Sequence, residues 1–163
     1  MSNTKGPQKV RELVEQIGTC MFVTQNPDGA LHSRPMRISD VDDSGAIWFF
    51  TNAYSDKVDE FQDHRPVNLA FAHLGDDDYV SLSGKAFLIR DRAQLEDKWN
   101  PMYKAWFPDG LETDGIALIK VNPETAEYWD AQDNKLLQGI KILSAIVTGS
   151  KHESGQNERV QMR

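Results

Sequence analysis

Residues 33–57 read SRPMRISDVDDSGAIWFFTNAYSDK. Two strand-like runs, LHSRPMRI (31–38) and AIWFFT (46–51), flank an acidic turn. The second run ends in a polar loop, TNAYSDK, holding hydroxyl residues and a lysine. Arg34 falls mid-strand among residues that otherwise suit a sheet. A guanidinium held near a sheet surface calls for an anionic partner, because unpaired buried charge is costly. Arg34, Thr51, Ser55 and Lys57 together carry the donors to surround one phosphate. Arginine binds it bidentately, lysine adds a point charge, and the hydroxyls and loop amides complete the shell. The pattern describes a site for a phosphorylated cofactor on a β scaffold. The competing reading is a surface salt bridge from Arg34 to one of the nearby aspartates.

Outward from this stretch the strands continue. Thr19–Thr24 reads as a strand, Asn26-Pro27-Asp28-Gly29 as a tight turn, and Ala30–Ile38 as the second strand. Ala46–Thr51 is the third. Pro7–Ile17 precedes them with helical spacing of Val10, Leu13, Val14 and Ile17, and Gly18 suits the C-terminal cap. Ser55 is placed to cap a short helix, Asp56–Asp63, with Val58 and Phe61 inward. Val67–His73 and Tyr79–Ile89 form the next hairpin. Asp91–Phe107 has a helical pattern interrupted by Pro101. Ile116–Trp129 reads as the last strand, with a bend near Asn122-Pro123. Leu136–Val147 has the spacing of an amphipathic helix. Six strands at short spacing predict a mainly β, antiparallel sheet closed into a small barrel with peripheral helices. The expected organisation is one domain over residues 1–149 and a polar tail over 150–163.

The chain has 163 residues, 39% apolar and 26% charged, with a formal net charge of −7. Its pI near 5.0 and the absence of any Lys/Arg run longer than a pair argue against nucleic acid and anionic membranes as partners. No stretch approaches the roughly 20 apolar residues of a membrane span, and MSNTKGPQK has no apolar signal segment. A cytoplasmic location is expected. The single cysteine, Cys20, reads as a small buried hydrophobe.

Asp40–Ile47 resembles the first eight positions of a calcium loop, but the twelfth position is Thr51 and the flanks read as strands; a polar hairpin turn accounts for it. His32, His64, His73 and His152 show no paired ligand spacing, so no metal site is expected. Gly-rich phosphate loops and a nucleophile elbow are absent. Aromatic residues crowd two places, Trp48-Phe49-Phe50 and Trp99 through Phe107; most should be core, and spacing does not choose those that wall a ring ligand.

In order, SRPM, IWFFTNAYSDK, PVNLAF, YVSLSGKA, DRAQLEDKWNPMYKAWFPDG and PETAEYWD resemble the pyridoxamine 5'-phosphate oxidase-like FMN-binding split barrels, within them the general stress protein branch. The resemblance runs to about Gly149. It implies a six-stranded antiparallel split β-barrel forming a homodimer, with FMN at the interface. By motif, Arg34 would hold the FMN phosphate, completed by Ser55 and Lys57. Pro35 and Met36 would lie along the flavin, and Phe50 and Thr51 would contact its ring or ribityl chain. Tyr79 falls where the oxidases have a glutamine near the ring. Trp129 falls where they have a tryptophan reaching the partner's flavin. Two departures stand out: Ser-Asp-Lys replaces the usual Ser-Arg-Lys, and the Arg/His motif that grips the vitamin substrate is missing from DAQDNKLLQGIKIL. The resemblance implies an FMN-dependent oxidoreductase other than the vitamin oxidase, with no catalytic residue to name. The alternatives are a non-catalytic flavin-binding or flavin-storing stress protein, or a related barrel that binds haem or a deazaflavin.

Overall fold

The computed structural model describes residues 5–62, 66–130 and 157–162. Helix α1 (Lys5–Ile17) opens the chain, with Pro7 in its first turn, where the missing N–H costs nothing. Val10, Leu13 and Val14 are its buried face. Gly18 ends it at φ 74°, a conformation that favours glycine. The Gly18 amide donates to Val14 O, and its carbonyl accepts from Ile38 N, both at 2.9 Å.

Strands β1 (Thr19–Gln25) and β2 (Leu31–Arg37) form the first hairpin, followed by β3 (Asp40–Val41) and β4 (Ile47–Asn52). Helix α2 (Asp56–Gln62) leads to β5 (Pro66–His73) and β6 (Asp78–Ile89). Helix α3 (Arg92–Lys98) is capped by the Asp91 carboxylate, which accepts from Gln94 N. Asn100 caps a short 3-10 turn, Pro101–Ala105, so the expected helix over Asp91–Phe107 is split where proline demands it. Strands β7 (Ile116–Trp129) and β8 (Asn157–Gln161) complete the described elements.

These strands make one mainly-β antiparallel half-barrel in the order β2-β1-β5-β6-β7-β4-β3, with β8 also on β7. The expectation of six strands is corrected to eight among the described residues. Strand β3 is too short to show alternation. Strand β8 lies within the segment expected to be a polar tail, and its one buried residue is Val160. Pairing places it: Val160 lies opposite Ala126 of β7 and against Gly6 of α1. The helix expected over 136–147 lies outside the described residues.

Period-2 alternation divides the core. Ile47 and Phe49 of β4, with Ile119 and Val121 of β7, join the main cluster around Phe22, Phe61 and Leu69. Their alternates Trp48, Phe50, Ile116 and Leu118 join Leu95 in a second cluster. Strand β4 is therefore buried on both faces, which its unbroken apolar run required.

Two local features fix the sheet. The register of β6 on β7 shifts between Ser83 and Gly84, opposite Pro123, which has no N–H for the ladder. A Cβ on buried Gly84 would sit 2.1 Å from the Asn122 carbonyl oxygen. In the β3–β4 turn, Asp42 Oδ1 accepts from Ser44 N (2.9 Å), Ser44 Oγ (2.6 Å) and Ala46 N (3.0 Å). Its Oδ2 accepts from the Trp48 indole at 2.9 Å. The calcium-like residues thus form a hairpin turn. Burial would raise the Asp42 pKa, but these four donors prevail and hold it below the ordinary carboxylate range.

Gly84→Ala is expected to cost more than about 2 kcal/mol, measured by urea unfolding, because the obstructing atom is backbone. For Asp42 the lowered folded-state pKa means stability present above the ordinary value and lost as pH falls through the lowered one. Asp42→Asn should therefore be less stable than wild type at pH 7, with the gap closing as pH falls from the ordinary carboxylate range through the lowered folded-state value. A gap independent of pH would show that the carboxylate charge contributes nothing.

Candidate functional site

Arg34 faces Phe22 across the β1–β2 pair, so its side chain starts on the core face of the sheet. Helix α2 covers that face, with Phe61 and Phe22 rings 6.5 Å apart. A guanidinium there must be neutralised. Thr24, its diagonal neighbour on β1, accepts from Nη1 at 2.6 Å. Glu60 of α2 accepts from Nη2 at 3.2 Å through Oε2. The buried Thr24 hydroxyl also donates to Glu60 Oε2, and His32 Nδ1 lies 3.2 Å from Oε1. Burial opposes the Glu60 charge, but hydrogen bonds from Thr24, Arg34 and His32 outweigh it and hold the carboxyl below its usual pKa. Arg34 thus has the ion pair that the competing sequence reading required, but its partner is a largely buried glutamate, not an aspartate.

Lys57, in the first turn of α2, is half-buried. Burial pushes its pKa down, the like charge of Arg34 pushes it further, and Asp56 offsets part of this. Among the described residues Lys57 makes no hydrogen bond or ion pair. Two cations close enough to repel favour an anion between them.

Both cations face a cleft of about 600 Å³. Residues 34–37 all line it, although successive strand residues point to opposite faces. This is possible because β2 is the sheet's edge. Phe50, Thr51 and Asn52 of β4 line the same cleft from near the other end of the strand order, so the sheet curls back on itself. Ser39 N, which donates to Trp48 O at 2.7 Å, ties the two ends. Thr19 of β1 also lines it, and the rest of the wall is aromatic: Tyr103, Trp106 and Phe107. Phe50 anchors it, with ring centroids 4.9 Å from Tyr103 and 6.3 Å from Phe107. Burial raises the Tyr103 pKa, against the opposing charge of Arg37.

Of the residues singled out in the sequence, Arg34, Pro35, Met36, Phe50, Thr51 and Lys57 line this cleft together. Ser55 is adjacent but turned to the backbone. Its hydroxyl donates to Asn52 O (2.8 Å), and its carbonyl accepts from Val58 N (3.0 Å) at the start of α2. Tyr79 and Trp129 are cross-strand partners on β6 and β7 and do not line the cleft of their own chain. The sequence reading missed Arg37, Asn52, Thr24 and Glu60. Glu60 follows Lys57 by three residues, one helical turn, and that spacing was the available signal. The aromatic crowding did point to Tyr103, Trp106 and Phe107, without selecting them.

Elsewhere the chemistry is quiet. A cavity of about 210 Å³ between α1 and the β3–β4 turn contains Arg11, whose guanidinium already donates to Val41 O and Asp42 O. Cys20 is buried, which pushes its thiol pKa up to about 12. Among the described residues no group of three or more His, Cys, Asp and Glu is placed to hold a metal ion, and no helix is long and apolar enough to cross a membrane.

The chain is similar to a candidate general stress protein 26 from Jannaschia sp. CCS1, with a TM-score of 0.73 over 99% of both chains at 22% identity; this speaks to the fold. It is also similar to a general stress FMN/FAD binding protein from Xanthomonas citri, with a TM-score of 0.68 at 27% identity, covering 79% of this chain and 91% of that one. In sequence it is 28% identical over 138 residues to Protein bli-3 of Neurospora crassa, a match over 79% of this chain. The match spans 66% of the length of bli-3, just under two thirds. The family described as pyridoxamine 5'-phosphate oxidase like matches residues 5–153. With the curled antiparallel sheet and the cationic, aromatic-walled cleft in place, that match over nearly the whole chain assigns it: the chain belongs to the pyridoxamine 5'-phosphate oxidase-like family.

Proposed function

We propose that this chain is an FMN-binding flavoprotein of the general stress type, a cytoplasmic split-barrel homodimer that works as a flavin-dependent oxidoreductase. The observation that carries this is the placement of Arg34 next to a half-buried Lys57 that makes no hydrogen bond or ion pair among the described residues, beside an aromatic wall. That donor set fits a phosphate ester attached to a flat ring. The Xanthomonas citri relative, described as an FMN/FAD binding protein, supports the same reading.

Bound FMN would supply the redox chemistry at its ring system. The residues of the chain bind and orient. Arg34 and Lys57 take the phosphate charge, and the Thr51 hydroxyl lies beside it, while the Asn52 amide is held by Asp114 O and Tyr54 N. Phe50, Met36 and Pro35 give the ring an apolar face, while Tyr103 and Phe107 exclude water. In the dimer, Trp129 would approach the partner's flavin, and Tyr79, its cross-strand neighbour, would lie near the ring.

A second reading, a flavin-binding protein without turnover, has one observation in its favour. The titratable residues lining the cleft are Arg34, Arg37, Lys57 and Tyr103, with no histidine, carboxylate or cysteine among them to act as a general acid or base. The same lining offers no histidine or cysteine for haem iron.

Titration of flavin-free protein tests the cofactor. Arg34→Ala should cost about 1.5–3 kcal/mol for FMN, roughly ten- to hundredfold in affinity, and much less for riboflavin, which lacks the phosphate. Lys57→Ala should cost less than Arg34→Ala, since lysine is a flexible point charge. Equal losses for both flavins would make Arg34 structural. Stopped-flow mixing with NADH or NADPH separates an oxidoreductase, whose flavin bleaches and turns over with an acceptor, from a binder.

Light scattering should give a mass near 37 kDa, twice the 18.5 kDa chain. Trp129→Leu should keep that mass, raise bound-flavin fluorescence and weaken FMN several-fold, because an indole stacked on the ring contributes about 0.5–1.5 kcal/mol beyond area burial. A folded variant with unchanged affinity and emission would remove Trp129 from the site.

A further inference from the structure

An acidic residue one helical turn from Lys57 is, at first sight, misplaced beside an anion site. Glu60 is nevertheless largely buried there, and its oxygens are all engaged: Oε2 by Arg34 Nη2 (3.2 Å) and by the Thr24 hydroxyl, Oε1 by His32 (3.2 Å). Thr24 closes a triangle, because its oxygen accepts from Arg34 Nη1 (2.6 Å) while its proton goes to Glu60. Thr24 Oγ1 and Glu60 Oε2 are bonded to each other and engage one terminal nitrogen each. Together they occupy the Nη1–Nη2 edge of the guanidinium. A guanidinium has five N–H donors in a rigid planar fork. With that edge held from behind, the Nε edge is the one left for a ligand in the cleft.

We infer that Glu60, acting with Thr24, is the positioning residue of the anion site: it fixes the plane of Arg34 so that the remaining edge meets the phosphate group of the ligand. This rests on the flavin reading of the cleft and adds to it a residue outside the cleft lining. Arginine loses rotamer freedom when ordered, and a preset plane removes part of that cost from binding. The alternative role for Glu60 has the opposite sign. A competing anion would occupy Arg34 in place of the phosphate, and its removal would strengthen binding.

Flavin-free wild type, Glu60→Ala, Glu60→Gln and Thr24→Val are titrated with FMN and with riboflavin by fluorescence quenching. Positioning predicts that Glu60→Ala and Thr24→Val each weaken FMN about tenfold while riboflavin changes less than about twofold. Glu60→Gln retains an oxygen acceptor for Arg34 and Thr24 and should stay within about threefold of wild type for FMN. FMN tightened about tenfold in Glu60→Ala or Glu60→Gln overturns the inference in favour of competition. Equal weakening for both flavins overturns it in favour of a purely structural role. If Glu60→Ala does not fold, Glu60→Gln and Thr24→Val decide by the same signs. Wild-type protein that binds neither flavin overturns the flavin reading itself, and the positioning role with it.

Discussion

The ion pair between Arg34 and Glu60 joins the parts of this molecule on which the rest depends. Arg34 enters the structure from the core face of an edge strand, where a bare cation is unaffordable. Its neutralisation by Thr24 and Glu60 links β1, β2 and α2 through one hydrogen-bonded triangle. Lys57 lies on the same short helix, so the contact that holds α2 against the sheet also brings the second cation to the cleft. One set of bonds therefore both docks α2 on the sheet and places the two cations on the cleft.

The other half of the site follows from the curl of the sheet. Strand β4 is buried on both faces, and its alternation sends Phe49 to the main core and Phe50 to the aromatic cluster. Phe22 meets Phe49 edge to face at 5.4 Å, locking β1 to β4 across the barrel interior. Phe50 meets Trp99 in the same manner at 5.5 Å and holds the segment after α3 over the cleft. A second anchor supports that segment: Lys98, almost wholly buried, lies 4.5 Å from the Trp48 ring centre and bridges to Asp40 at 2.7 Å. Aromatic packing thus carries the cleft wall on a strand that cannot shift without opening the core.

The sequence by itself determined the strand runs, the helix α1 with its glycine stop, and the bend at Pro123, because period, proline and glycine act locally. It also offered Arg34 and Lys57 as members of one cationic cluster, but left open whether Arg34 serves a phosphate or an ion pair within the chain, because donor types alone do not say which anion they meet. Ordered motifs then fixed the family. What only the tertiary structure decided involves partners distant along the chain. Nothing in its local sequence pairs Glu60 with Arg34; docking α2 on the β1–β2 hairpin made it the counter-ion of Arg34. Strand β8 carries no alternation of its own, and pairing with β7 made it a strand. Trp99, Tyr103, Trp106 and Phe107 were equivalent as sequence. Trp99, Tyr103 and Phe107 all pack on Phe50 and the second cluster, and the curl of the sheet leaves Tyr103, Trp106 and Phe107, but not Trp99, lining the cleft. The physical reason is common to all three: burial and charge pairing are set by which surfaces meet, and that is a property of the assembled sheet.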